Sequence, residues 1–180
     1  MNRTKIIATV GPGCDSKKEL QKLVELGVSC FRINLSHGSM KEKKNYFDLI
    51  KSLKQKIKSG TPYLGTSAGT NICGMTIGTT NDMPIINVKS HKALELLPFN
   101  INPHYLDPVK NSKHMGESRE TRIKEFHVLN NQKVIGLRES SYLSVENNDI
   151  ILKGPKQAVV FKKDENIFEI NSGFNLKNLI

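Results

Sequence analysis

The chain has 180 residues, 27 Lys or Arg against 17 Asp or Glu, and a formal net charge of +10. With 37% hydrophobic and 24% charged residues it reads as a globular chain with enough material for a core, not a disordered one. No run of about 18 apolar residues occurs, which excludes a membrane-spanning helix. The first residues lack the apolar stretch and cleavage site of a secretory leader, and Cys14, Cys30 and Cys73 form no CxxC or metal spacing, so a reduced, cytoplasmic setting is expected.

Residues 4–10 read as a buried strand that stops at Gly11-Pro12-Gly13. Ser16 and Glu19 form a capping box, Leu20, Leu23 and Val24 carry helical spacing, and Gly27 is a stop. Val28 to Leu35 reads as a second strand, so this strand–helix–strand predicts a parallel pair. Ser39 to Glu42 offers a second cap, and Tyr46, Ile50, Leu53 and Ile57 keep one apolar stripe on a Lys-rich helix that ends at Gly60. The charge sits here: residues 1–60 carry a net +8 and residues 61–180 only +2, nearly all of the excess being Lys. No aromatic-rich basic stripe accompanies it, which favours a solvated helix face over a nucleic-acid surface.

Tyr63-Leu64-Gly65 reads as a short strand running into Ser67. Residues 70–115 are loop-rich, 117–127 helical, and Lys133 to Leu137 a strand. After residue 140, Ser141–Glu146, Ile150–Lys153, Ala158–Lys162 and Ile167–Ile170 alternate between turn formers, which predicts an antiparallel β-meander. Asn171 to Ile180 is expected to fray.

Gly65-Thr66-Ser67-Ala68-Gly69 fits G-x-S-x-G between a strand and a helix. Such a turn needs small neighbours, because the serine sits in a strained conformation with Oγ projecting from the sheet end. The Ala68 N–H would then face a developing oxyanion. A serine nucleophile needs a base held by an acid. His104, in a Pro-fixed loop, is the leading base, with His37, His91, His114 and His127 as alternatives; Glu139 and Asp82 are both candidate acids.

From about residue 46 to 170 the chain resembles the peptidase E (alpha-aspartyl dipeptidase) family, S51 of the serine peptidases. The resemblance rests on residues 60–71, 79–85, 98–105, 116–123 and 134–139, which include Gly-Thr-Ser-Ala-Gly-Thr-Asn, Pro-Phe-Asn-Ile-Asn-Pro-His-Tyr and Val-Ile-Gly-Leu-Arg-Glu. It implies a partial three-layer α/β sandwich with a mainly parallel sheet, of the class I glutamine amidotransferase-like kind. It further implies Ser67 as nucleophile, His104 as base, Glu139 as its orienting acid with Asp82 nearby, and Arg119 as the group that grips a substrate aspartate. A guanidinium fork suits that task. The implied reaction is hydrolysis of small Asp-Xaa peptides, with no metal or organic cofactor. Thr66 departs from the family, which usually has Trp there. No Gly-Gly-Gly-Asn run is present to supply a second oxyanion donor, whose loss costs ~10²–10³ in rate.

Residues 3–38 are similar instead to the N-terminus of the pyruvate kinase family, through Arg-Thr-Lys-Ile-Ile-Ala-Thr-Val-Gly-Pro and Phe-Arg-Ile-Asn-Leu-Ser-His-Gly. That likeness implies Asn34 and Ser36 as monovalent-cation ligands and Arg32 and His37 as phosphate-facing groups, without the lysine and acidic metal ligands of that family. The expected organisation is therefore a β-α-β segment over 1–45, the catalytic half of a peptidase E-like protein over 46–172, and a tail over 173–180. A shortened peptidase could be inactive. The alternatives are a non-catalytic fusion remnant or a basic module that binds phosphate or nucleic acid.

Overall fold

The computed structural model describes residues 6–11, 13–14, 16–33, 54–79, 81, 90–109 and 116–180. The chain divides into two compact units, Met1–Phe47 and Asp48–Ile180. Among the described residues no helix is long and apolar enough to cross a membrane. Asp82, His37, His114, Asn34, Ser36 and the stripe residues Tyr46, Ile50 and Leu53 lie outside the described residues.

In the first unit, β1 (Ile6–Val10) and β2 (Val28–Ile33) pair in parallel, with α1 (Lys17–Glu25) as the crossover. The capping box forms as its residues dictate. Ser16 Oγ accepts the Glu19 N–H at 3.3 Å, and the Ser16 N–H donates to Glu19 Oε2 at 3.4 Å. Gly27, at φ +96°, reverses the chain out of α1 into β2.

In the second unit, residues 54–58 are helical and close in a Schellman motif. Gly60 takes φ +100°, its N–H donates to the Ile57 carbonyl at 3.0 Å, and the Thr61 N–H donates to the Lys56 carbonyl at 3.0 Å. The elements that follow are α2 (Ala68–Ile72), β3 (Asn100–Pro103), α3 (Arg119–Leu129) and β4 (Val134–Leu137). Four further strands end the chain: β5 (Tyr142–Glu146), β6 (Asp149–Lys153), β7 (Ala158–Phe161) and β8 (Phe168–Ile170). The main sheet has the order β3-β4-β7-β8. β3 and β4 are parallel, and the other two pairs are antiparallel.

The pleat of this sheet sorts its residues into two cores. Ile101, Ile135, Leu137, Ala158, Val160 and Ile170 face one side, with Leu152 and Leu176 packed over them. Val134, Val159 and Phe161 face the other, against Ile123 and Phe126 of α3 and Tyr105. Successive strand residues point to opposite faces, so a continuous apolar run such as 134–137 marks a strand covered on both sides. The sheet is thus the middle layer between α3 and a second layer that includes the 152 and 176 region.

Three expectations change. Residues 61–66 form no regular strand, because none of the described residues offers them a ladder partner. The C-terminal strands are antiparallel but divide between two sheets. β5 and β6 form their own hairpin, whereas β7 leaves it to pair with β4, where its all-apolar sequence is buried on both faces. The last ten residues do not fray. Leu176 is fully buried, the Leu152 N–H donates to the Phe174 carbonyl at 3.0 Å, and Asn175 Oδ1 accepts the Ile150 N–H at 3.2 Å. An asparagine that satisfies a strand edge and a buried leucine together outweigh the entropy of a free end.

Gly136, in β4, leaves no room for a side chain. A Cβ there would lie 2.8 Å from the Tyr105 ring and 3.3 Å from the Phe161 ring. Gly136→Ala is therefore expected to cost about 1–3 kcal/mol by overpacking. Urea unfolding should give a lower midpoint with an unchanged slope; an unchanged midpoint would contradict the packing described.

Candidate active site

The turn at residues 65–69 is closed by backbone contact. A Cβ on Gly65 would sit 2.6 Å from the Gly69 carbonyl oxygen, so only glycine fits. Thr70 Oγ1 donates to the Gly65 carbonyl at 2.9 Å, and Tyr63 Oη donates to the Gly69 carbonyl at 2.5 Å. Between these ties Ser67 takes φ 50° and ψ −116°, a conformation that costs a non-glycine residue of order 1–3 kcal/mol. Ser67 is exposed and starts α2, whose next residue, Ala68, has an N–H with no partner among the described residues. The positive-φ serine turn expected from G-x-S-x-G is present and leads into a helix, without the strand expected before it.

β3 and β4 bring the other groups together. Their register pairs Pro103 with Leu137, and the Tyr105 N–H continues the ladder to the Leu137 carbonyl at 3.0 Å. The chain leaves both strands at the same level, where His104 takes φ 54°. There His104 Nδ1 hydrogen-bonds to Glu139 Oε1. Both side chains are open to solvent, at 48% and 69%, so the pair orients the ring more than it stabilises the fold.

Ser67, His104 and Glu139 line one open cavity of about 990 Å³, together with Tyr63, Thr66 and Tyr142. Among the described residues no hydrogen bond joins Ser67 Oγ to His104. His91 is exposed and outside this cavity, and His127, on α3, is buried with Nε2 on the Gln132 carbonyl at 3.0 Å. Arg119 is not among the cavity-lining residues. It heads α3, and its Nη1 donates to Asn102 Oδ1 at 3.4 Å. Ile101 and Pro103 face the cavity, and Asn102, one step along the pleat, faces away from it.

The sequence reading missed the groups that fix these ends. Arg138 Nε and Nη2 grip both Asp107 oxygens, at 2.9 and 2.6 Å. Arg138 also bonds Glu169 and, at 3.0 Å, the Gln157 carbonyl. This fork holds the Asp107 carboxyl below its ordinary range. Asn100, fully buried, accepts the Met75 and Thr76 N–H groups at 3.0 Å each, and so anchors the loop after α2 to β3. The usable signals were an Arg directly before Glu139 in a chain with five arginines, and an Asp three residues after His104.

A strained serine turn and a His–carboxylate pair thus open into one cavity of an α/β fold. Residues 32–153 match peptidase family S51, a span that begins earlier than the motifs suggested. The chain is 44% identical over 132 residues to peptidase E from Streptomyces coelicolor, covering 73% of this chain and 54% of that protein. It is 44% identical over 130 residues to a Drosophila melanogaster protein that carries the name alpha-aspartyl dipeptidase, covering 67% and 54%. A crystal structure of a Listeria monocytogenes EGD-e protein named for peptidase E superposes with a TM-score of 0.50 at 18% identity, covering 84% of this chain and 85% of that one. That likeness is one of fold, the class I glutamine amidotransferase-like α/β arrangement. The chain belongs to peptidase family S51. It spans about half the length of the curated relatives it matches.

The floor of the cavity gives a pH dependence. Burial pushes the Cys73 thiol up to about 11 from an ordinary 9.0, and raises the Tyr63 hydroxyl as well, with Cys73 adding to the latter. The folded chain holds these protons more tightly than the unfolded one, so their contribution is complete below about pH 9 and is lost as pH rises toward 11. Urea midpoints should fall across that interval, and fall less steeply in Cys73→Ala; a flat profile would contradict the burial of both groups.

Proposed function

We propose that this chain acts as a serine-type dipeptidase that releases aspartate from the N-terminus of small Asp-Xaa peptides. The observation that carries the reading is the strained Ser67 elbow opening into the same cavity as the hydrogen-bonded His104–Glu139 pair. Family membership supports peptide hydrolysis, and the relatives' names supply the aspartyl class.

The chemistry follows from the donor and acceptor roles. With Nδ1 engaged by Glu139, His104 presents Nε2 as the base. Nε2 takes the Ser67 proton as Oγ attacks the aspartyl carbonyl carbon. The carbonyl oxygen gains negative charge and accepts a hydrogen bond from the Ala68 N–H. The tetrahedral intermediate collapses, the peptide C–N bond breaks, and His104 returns the proton to the departing amine. Water, deprotonated by the same Nε2, then hydrolyses the acyl-serine and frees aspartate.

Arg119 is the proposed partner of the substrate carboxylate. That role rests on the family resemblance: Arg119 lies with Asn102 on the side of β3 away from the cavity, so it would have to give up its 3.4 Å bond to Asn102 and swing round to reach a substrate carboxylate. Asp82 stays a proposed auxiliary acid. If one backbone donor serves the oxyanion, turnover should be low for the family.

The test is aspartate release from an Asp-Xaa dipeptide by the full chain. Ser67→Ala and His104→Gln should each remove it to background, and Arg119→Ala should raise KM for Asp-Xaa more than it lowers kcat. Release that survives Ser67→Ala would overturn the reading. Gly65→Ala should also abolish release while the far-ultraviolet circular dichroism spectrum is kept, because the new Cβ opens the turn without touching the sheet.

A further inference from the structure

We infer that Arg138, acting with Asp107, is a positioning residue for the His104–Glu139 pair. This rests on the serine-peptidase reading only for its kinetic arm. Arg138 stands directly before Glu139 in the chain, and Asp107 stands three residues after His104. The two catalytic candidates therefore leave different strands, β4 and β3, and the bidentate Arg138–Asp107 contact ties those exits together.

The contact is a bidentate clamp, although both acids are open to solvent, Asp107 at 58% and Glu169 at 44%. The Arg138 side chain is only 16% exposed. Its nitrogens reach four oxygens on three residues: both Asp107 oxygens, Glu169 of β8 and the Gln157 carbonyl before β7. Its guanidinium also lies over the Tyr105 ring, 5.9 Å from the centroid, next to His104. His104 and Glu139 themselves are open to solvent. His104 holds a positive φ, and its ring has no other hydrogen-bond partner among the described residues. An exposed imidazole on a strained residue is oriented only as well as the backbone beneath it, and that backbone is fixed by the clamp.

Lysine keeps the charge of Arg138 but cannot make two parallel bonds. A misplaced base costs rate without altering substrate affinity, on the order of 10- to 100-fold for a displacement near 1 Å. The clamp therefore acts on kcat through ring orientation, and it leaves the elbow untouched.

The test uses the full chain with ¹⁵N-labelled histidine and reads the His104 ring nitrogens at a pH where the ring is neutral. The signals are assigned by their loss in His104→Gln. In the parent chain Nδ1 should carry the proton, fixed by Glu139. In Arg138→Lys and in Asp107→Asn the ring should relax toward the Nε2–H tautomer, with near-parental circular dichroism, and kcat for Asp-Xaa should fall about 10- to 100-fold at constant KM. The double variant should lose no more than the worse single one. An unchanged His104 tautomer in a folded Arg138→Lys or Asp107→Asn variant overturns the inference. Failure of the peptidase reading shows separately, as release that does not depend on Ser67, while the tautomer arm still decides the clamp.

Discussion

The closure of residues 65–69 is the constraint on which the site depends. Gly65 and Gly69 approach so closely that a single methyl group on Gly65 would collide with backbone. Two side-chain bonds, from Tyr63 and Thr70, lock the turn from opposite ends. Ser67 is left at a positive φ with its side chain exposed, and the N–H of Ala68 has no partner among the described residues. Strain of this kind persists only where the surroundings over-determine it. Here they do: the residues after the turn are held to β3 by the buried Asn100, and Cys73 packs into the core beneath.

Parallel pairing supplies the second half of the site. Because β3 and β4 run side by side in register, both chains emerge at one end of the sheet. His104 and Glu139 meet there although 35 positions separate them in sequence. The pleat then assigns roles by parity. Ile101 and Pro103 face the cavity, and Asn102 turns to the other side, where it meets Arg119. A cluster of one arginine and two acids fastens the two exits, and Arg138 is held protonated beyond its usual range by the hydrogen bonds it donates to Asp107 and Glu169, despite its burial.

Local signals carried much of this. The capping box at Ser16, the Gly27 and Gly60 stops and the glycine-framed serine each act within a few residues, and each could be read directly. The strands after residue 140 were readable as strands from their turns and alternation, but their partition was not. Nothing local distinguishes Ala158–Phe161, which enters the main sheet, from Asp149–Lys153, which stays in a hairpin, except that the former is apolar at every position. The order of the C-terminus was hidden because Leu176 is ordered by contact with β6, not by its own sequence. In the site, Ser67, His104 and Glu139 carry residue types that name their chemistry. Arg138 and Asp107 do not, since their importance is a matter of which strand ends lie side by side.

The most direct measurement is intact-mass and peptide mapping of the full chain after exposure to a fluorophosphonate, which reports a nucleophilic serine whether or not turnover is fast. A single adduct on Ser67, suppressed in His104→Gln and present in Ser-to-Ala variants elsewhere, is the expected result. Equal labelling of several serines, or labelling of Ser67 that is indifferent to His104, would contradict the assignment of Ser67 and His104 as nucleophile and base.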